Sequence, residues 1–412
     1  MSKRIGLLSA SVLLVASQLT HAENIRWNGY VNIVAGGLEY DPRNDDTNKK
    51  QRPGYLSYEQ KPIYDTQSSA ALQASKDLDA KSSITTQVFA AGEGGDYVAK
   101  MKWLYLTYNF NDNSTARVGR LGNPAYYFSD FFNVGFAYQW ISPPNEIYAF
   151  DTTFTGLDYI YRGSIGKSDW TGELFTGSSD VLIQSGSTTA LTKSRNLFGG
   201  SLGLSTGGWL NLRAMIERST VTLDIAALTP DNILSQVPSS LVTPELEALV
   251  DEKLDAKEAN ATYAELAARA EFEHLLLMAE GTFARTDRYL LADTDSWFVT
   301  GGWKFTRRFM VHLTYSESKT KMKDKTYADI DYVNTHPQSA SPDYIAAALG
   351  STIEERVANN RNSWTLGTRY DLTGNIAVKF DVMKFEEKAS YMTETAGIGN
   401  NVLVRAAVNA VY

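Results

Sequence analysis

The groups that usually carry catalysis are sparse in this chain, so its chemistry has to be sought among charged side chains. There is no cysteine, which excludes disulfides and thiolate metal sites. The four histidines are His21, His274, His312 and His336. His312 falls in the middle of an alternating segment with no serine nucleophile motif nearby, whereas nucleophile-and-base catalysis needs a histidine held beside its partner. The stretch Asp41-Pro42-Arg43-Asn44-Asp45-Asp46 lacks both the glycine and the closing glutamate of a calcium-binding loop. Neither a metal nor a cofactor is therefore expected. What remains is a set of bases on the polar parity of otherwise apolar segments: Arg26, Arg117, Arg162, Arg213, Lys379 and Arg405. Two carboxylates, Asp130 and Glu146, stand in an aromatic-rich connection. Such groups act electrostatically, by attracting, repelling or orienting charge.

The segments that carry these bases alternate in polarity. Trp297, Val299, Gly301, Trp303 and Phe305 share one parity, and Phe298, Thr300, Gly302 and Lys304 the other. Leu210, Leu212, Ala214 and Ile216 oppose Asn211, Arg213, Met215 and Glu217. Phe309, Val311, Leu313 and Tyr315 oppose Met310, His312, Thr314 and Ser316. A two-residue period sustained over about eight to ten residues signals a β-strand. One face is apolar and the other mixes charged, polar and small residues. That suits hydrocarbon outside and water within, whereas a packed soluble barrel would invert it. Sixteen segments follow this pattern: 25–40, 67–76, 81–91, 100–110, 115–121, 153–162, 167–176, 195–205, 207–217, 263–273, 274–286, 294–306, 308–318, 361–372, 374–386 and 400–412. Sixteen is even, as bacterial single-chain barrels require, with 14 and 18 as the alternative counts.

The connections alternate too. Asp77–Ala80, Asn111–Ser114, Gly163–Gly166, Thr206, Glu273-His274, Arg307 and the Thr373-Gly374 region are short and mostly rich in turn residues. The intervening connections, roughly 41–66, 92–99, 122–152, 177–194, 218–262, 287–293, 319–360 and 387–399, are mostly much longer. This is the asymmetry of an outer-membrane β-barrel, with tight turns on the periplasmic rim and long loops outside. Met1 to Ala22 is expected to be a cleaved export signal. Lys3 and Arg4 precede the apolar stretch Ile5 to Leu19, and Thr20-His21-Ala22 supplies the small residues of a cleavage site. The mature barrel would then occupy 23–412. Thirty-nine bases against 47 acids give a formal charge of −8, which argues against a nucleic-acid partner. A mean hydropathy of −0.27 is compatible with a wall that shows only alternate residues to lipid. The 23 tyrosines and eight tryptophans suit aromatic girdles at the two membrane interfaces.

Thr243-Pro244 predicts an N-cap and first turn for a helix over Glu245 to Glu258, and Ser341-Pro342 opens a similar run through Val357. Residues 219–262 hold eight acids and two bases, a net of −6. Acidic outer loops of this kind would bind divalent cations, bridge to lipopolysaccharide, or remain simply solvated. The final segment places Val402, Val404, Ala406, Val408, Ala410 and Tyr412 on one face. An aromatic residue at the last position of an alternating strand resembles the signal by which barrel-assembly machinery recognises its clients.

Over its whole mature length the chain resembles the general porins of Gram-negative bacteria. The resemblance is carried by Trp27-Asn28-Gly29-Tyr30, Arg117-Val118-Gly119-Arg120-Leu121 and the terminal Tyr412. Within 122–152 it is carried by Pro124, Ser129-Asp130, Val134-Gly135-Phe136-Ala137-Tyr138 and Pro143-Pro144-Asn145-Glu146. It implies a homotrimer in outer-membrane lipid that passes small hydrophilic solutes and ions by passive diffusion. It also implies that 122–152 folds back into the lumen as the constriction. Its aromatics Tyr126, Tyr127, Phe128, Phe131, Phe132, Phe136, Tyr138 and Trp140 need an apolar wall, supplied by the barrel interior or by a neighbouring subunit. In that frame Asp130 and Glu146 would face Arg26, Arg117, Arg162, Arg213, Lys379 and Arg405 across the pore and set its selectivity. Arg120 is the best match to a family constriction arginine, yet it shares the outward parity of Ala116 and Val118. Either a bulge re-aims it or Arg117 takes the role. The competing readings are a substrate-specific channel for sugars, phosphate or organic acids, and an outer-membrane phospholipase or protease on the same barrel.

Overall fold

The computed structural model describes residues 25–39, 58, 60–93, 96–149, 153–185, 188–224, 229–235, 239–251, 257–288, 293–321, 359–389 and 399–412. All sixteen alternating segments form strands: β1 (Ile25–Leu38), β2 (Ser69–Asp77), β3 (Ser82–Glu93), β4 (Asp96–Asn109), β5 (Ser114–Gly122), β6 (Thr153–Ile165), β7 (Ser168–Ser185), β8 (Thr188–Thr206), β9 (Leu210–Asp224), β10 (Ala259–Glu271), β11 (Leu275–Thr286), β12 (Asp293–Lys304), β13 (Phe309–Lys321), β14 (Asn359–Asp371), β15 (Ile376–Ala389) and β16 (Gly399–Val411). Neighbours in sequence pair antiparallel, and β1 pairs with β16 to close the barrel. The closing register runs from Tyr30 opposite Val411 to Leu38 opposite Leu403. Closure leaves no row of unpaired N–H and C=O groups, which a sheet in hydrocarbon cannot tolerate.

The pleat sends the two parities to different surroundings. On β13, His312 and Thr314 are 2% and 1% exposed, while Leu313 between them is 48% exposed. Val31 and Ile33 face outward around buried Asn32 on β1, and Val404 and Val408 face outward while Arg405 and Asn409 are buried on β16. Outward aromatics gather at two heights. Trp297, Tyr315 and Trp364 are neighbours toward the long-loop rim, with ring centroids 5.3 and 4.8 Å apart along the row. Phe305 and Phe309, 5.9 Å apart, stand at the short-turn rim near Trp303 and Tyr370. Rings at both ends of an apolar belt match the two interfaces of a bilayer.

Turn chemistry sets the short rim. Gly207 and Gly208 both have positive φ, 62° and 72°, so the β8–β9 turn sits one step later than Thr206 and β9 begins at Leu210. Asn111 accepts from the N–H groups of Asn113 (2.9 Å) and Ser114 (3.0 Å), a side-chain turn that reverses β4 into β5. On the other rim the strands overrun their expected ends. The 177–194 connection is largely strand, because β7 and β8 continue pairing to Ser185 opposite Thr188. The 92–99 connection shrinks in the same way, with Glu93 opposite Asp96. The expected 245–258 helix begins on schedule at Pro244 and is α-helical over Pro244–Leu249; residues 252–256 lie outside the described residues, and Ala259 belongs to β10. The 341–357 helix lies outside the described residues. Tyr412 exchanges two backbone hydrogen bonds with Gly29, accepting from its N–H (3.2 Å) and donating to its carbonyl (3.0 Å). Its ring lies over Gly29, where a Cβ would collide with it.

Candidate functional site

Residues 122–149 turn inward and cross the lumen. The sequence favours this path because its aromatics find an apolar seat on the opposite wall. Tyr126, Phe128, Tyr138, Trp140 and Tyr148 are buried with Phe154, Phe175, Leu197, Met215, Met278 and Phe298, contributed by β6 to β12. Burying each such side chain is worth about 1.5–3 kcal/mol, so the seat alone holds the loop strongly. Of the eight aromatics that needed cover, Phe131 is the one left largely exposed. Two single-turn 3-10 segments, Ser129–Phe131 and Gly135–Ala137, bend the path.

A loop in a barrel carries backbone carbonyls into a confined space, and each needs a donor. The wall supplies them. Lys379 Nζ donates to the carbonyls of Gly135, Tyr138 (2.7 Å) and Trp140 (2.6 Å). Arg369 donates to those of Phe136 and Tyr138, both at 2.8 Å, and lies 4.8 Å from the Phe136 ring. Arg213 donates to the carbonyl of Pro124, and Asn32 to that of Asn133 (2.7 Å). Trp140 Nε1 donates to Thr314 (2.8 Å), and Tyr148 OH to Glu280, which also accepts from the Tyr127 N–H (2.9 Å). Gly135 is needed for closeness rather than for conformation: a Cβ there would strike the amides of Asn32 and Asn409.

Arg405 fixes the returning limb. It is paired bidentately with Asp381 (2.9 and 2.8 Å), both fully buried, and also donates to Gln67 and Ser142. Tyr58, from the first outer connection, donates to the same Gln67 (2.9 Å). Burial away from water pushes the Tyr58 hydroxyl up to about 12.

Strands β4 to β7 carry a further set of charged groups on the inward face. Arg117 projects inward and holds Asp158 (2.9 and 3.0 Å from Nε) and Glu173 (3.2 Å), with Tyr105 beneath its guanidinium at 5.7 Å. Its side chain keeps 23% exposure. Asp130, exposed on the loop, lies within electrostatic reach of Arg117, Asp158 and Glu173. Lys102 is the extra residue of a bulge between Gln87 and Val88, and it turns inward over Phe89 (5.2 Å) and Phe132 (6.0 Å).

The residues singled out in the sequence therefore separate into groups. Arg117 and Asp130 come together. Glu146 is buried, accepting from Ser316 (2.8 Å) on the wall rather than facing Arg117. Arg213 is paired with Glu265 at 2.5 Å beneath the start of the loop. Arg26, paired with Asp77, and Arg162, beside the Asn113 turn, stand exposed at the short-turn rim. Arg120 keeps its outward parity opposite Leu104 and Thr155, its Nε donating to the Lys102 carbonyl (3.2 Å). The nearby bulge belongs to Lys102. Sequence reasoning passed over Lys102, Asp158, Glu173, Glu280 and Arg369. All share the inward face, but only the path of the loop gives them roles.

Two hollows lie beside the loop among the described residues. One, of about 320 Å3 toward the long loops, is walled by uncharged groups such as Ser69, Phe89, Asn133 and Asn145. The other, of about 670 Å3 toward the short turns, is walled by charged ones.

No protein-family model and no curated protein sequence matches the chain. Solved structures do match its fold. The outer membrane channel DcaP of Acinetobacter baumannii superposes with a TM-score of 0.55 at 11% identity, covering 94% of this chain and 97% of that one. OprB of Pseudomonas putida gives 0.53 at 12% identity, over 97% and 96%. An anion-selective porin from Comamonas acidovorans gives 0.51 at 12% identity, over 94% and 99%. The closed sixteen-strand wall, its apolar outer belt and these likenesses make the chain an outer-membrane β-barrel with the porin fold.

Proposed function

We propose that the chain is a porin, a homotrimeric water-filled channel that lets small hydrophilic solutes and ions cross the outer membrane by diffusion. The observation that carries this reading is the loop 122–149. It is held inside the barrel by many directional bonds to one side of the wall, while the opposite wall keeps charged and polar groups facing the lumen. A sixteen-stranded barrel is wide enough to hold water beside such a loop. Arg117 and Asp130, of opposite charge and within reach of each other, form the selectivity element. Export would use the Met1 to Ala22 signal, with the mature chain starting near Glu23. The outer loops would meet lipopolysaccharide.

Three features support diffusion over catalysis or single-solute transport. His312 is buried against Trp140, His274 bonds to the Lys304 carbonyl in a short turn, and the uncharged hollow is walled by groups already bonded to one another, such as Asn32 with Ser69. Trimers are supported by the trimer form of the outer membrane protein OmpT of Vibrio cholerae, similar at a TM-score of 0.51. Purified protein in planar bilayers is expected to give stepwise conductance, and loaded liposomes to swell with uncharged solutes in order of size. Absence of conductance steps, or swelling with one solute alone, would overturn general diffusion.

A further inference from the structure

The hollow beneath the loop, at the short-turn end, carries a charge opposite to that of the chain. The whole sequence has a formal charge of −8, yet this hollow is walled by five cations and three carboxylates. The carboxylates do not balance it. Glu271 is shared by Lys304 (2.5 Å) and Arg269 (2.8 Å), and Asp371 is taken by Arg369 (2.8 Å). Glu273 is largely solvated at 89% side-chain exposure. Arg307 and Arg308, adjacent in the β12–β13 turn, enter no ion pair among the described residues.

The roof is prepared for negative charge as well. The carbonyls of Gly135, Phe136, Tyr138 and Trp140 would repel an anion, but Lys379 and Arg369 already cap them. Gln139, 3% exposed and part of the same roof, has an amide nitrogen with no partner among the described residues. A cleft with low-dielectric walls focuses the field of its charges, and guanidinium groups grip oxyanions through paired N–H donors. The volume of about 670 Å3 accommodates a small solute with its water.

We propose that this hollow is a binding site for small multivalent oxyanions of the phosphate and polycarboxylate class, seated between Arg307, Arg308 and the loop underside. It lies at one mouth only, so it makes the passage of such anions unequal in the two directions. The inference rests on the channel reading for its consequence but not for the site itself.

Inorganic phosphate is the probe. Chloride current through single channels is recorded while phosphate is added to one chamber at a time. Half-block is expected at a concentration at least tenfold lower from the short-turn side. Arg307→Ser with Arg308→Ser should raise that concentration at least tenfold, while Lys167→Ser, in the β6–β7 turn outside the hollow, leaves it unchanged. Equal potency from both sides, or an unmoved double variant, overturns the site. If the wild type passes no chloride, the channel reading fails. Titration calorimetry on the detergent-solubilised protein then decides the site alone: phosphate heat lost in the double variant upholds it, and no heat in the wild type overturns it.

Discussion

Two stretches of the same wall carry inward bases and use them in opposite ways. On β14 to β16, Arg369, Lys379 and Arg405 are turned into the loop. Lys379 and Arg405 are each 1% exposed, and their donors are spent on backbone carbonyls, Asp381 and Ser142. On β5, Arg117 has the same parity and also pairs with acids, yet a quarter of its side chain still meets the lumen. The difference lies in what stands opposite. The loop backbone presses on β14 to β16 and excludes water, so each polar group there must find a protein partner. Opposite β5 stands the exposed Asp130, and Arg117 keeps part of its surface toward open space. Parity alone makes a base face inward; whether it becomes a structural anchor or a pore charge depends on the loop.

The comparison breaks most visibly at Arg405. Arg405→Met leaves Asp381 buried and unpaired, which is expected to cost about 3–5 kcal/mol in denaturant unfolding. Adding Asp381→Leu should recover most of it, because removing both partners removes the uncompensated charge. If the single variant unfolds like the wild type, the buried pair is not an anchor. Next in size is Lys379→Met, which strands three carbonyls and should cost about 2–3 kcal/mol. It should also widen the conductance distribution toward larger steps as the loop loosens, and an unchanged single-channel record would contradict the anchoring role.

Tyr58 tests the same anchored side through pH. Its folded hydroxyl titrates near 12 against 10.0 when free, so the folded state favours the protonated form. The stabilisation is therefore complete below pH 10 and is lost as pH rises toward about 12, amounting to roughly 3 kcal/mol. Phenolate absorbance and melting temperature followed together across that window should move in step for the wild type. Tyr58→Phe should abolish this part of the alkaline dependence.

The barrel was legible because hydrocarbon and water impose a period of two, and the inward bases named above obey it except Lys102, which a bulge turns inward. Turn positions were legible where Asn111 or the glycines at 207 and 208 act locally, although Thr206 was one step early because two positive-φ residues need both glycines. The division of labour among bases was not legible. Lys379 and Arg117 look alike in a strand pattern, and what separates them is the carbonyl direction of a loop more than 200 residues away in sequence. Glu146 misled for the same reason. A carboxylate in a loop suggests a pore charge, but Pro144 turns the chain so that Ile147 and Tyr148 cap its carbonyl, and Glu146 meets Ser316.

On the side facing Asp130 the expected effects reach selectivity as well as stability. Arg117→Gln keeps one donor for Asp158 but removes the charge beside that fully buried carboxylate, so it should cost about 2–3 kcal/mol. The reversal potential under a salt gradient should move toward cations, because Asp158, Glu173 and Asp130 lose their counterion. A shift toward anions would place the selectivity element elsewhere.

The smallest change separates the two loop carboxylates. Asp130→Asn removes an exposed charge with little packing around it, so melting should stay within about 0.5 kcal/mol of wild type. The reversal potential should nonetheless move toward anions, since Arg117 then faces the lumen with less opposing charge. Glu146→Gln keeps an acceptor for the Ser316 hydroxyl, and the side chain is buried, so its charge is remote from the aqueous path. It should leave selectivity where it was. If both variants shift the reversal potential alike, Glu146 senses the same water as Asp130, and the distinction between an anchored and an open side of the lumen fails.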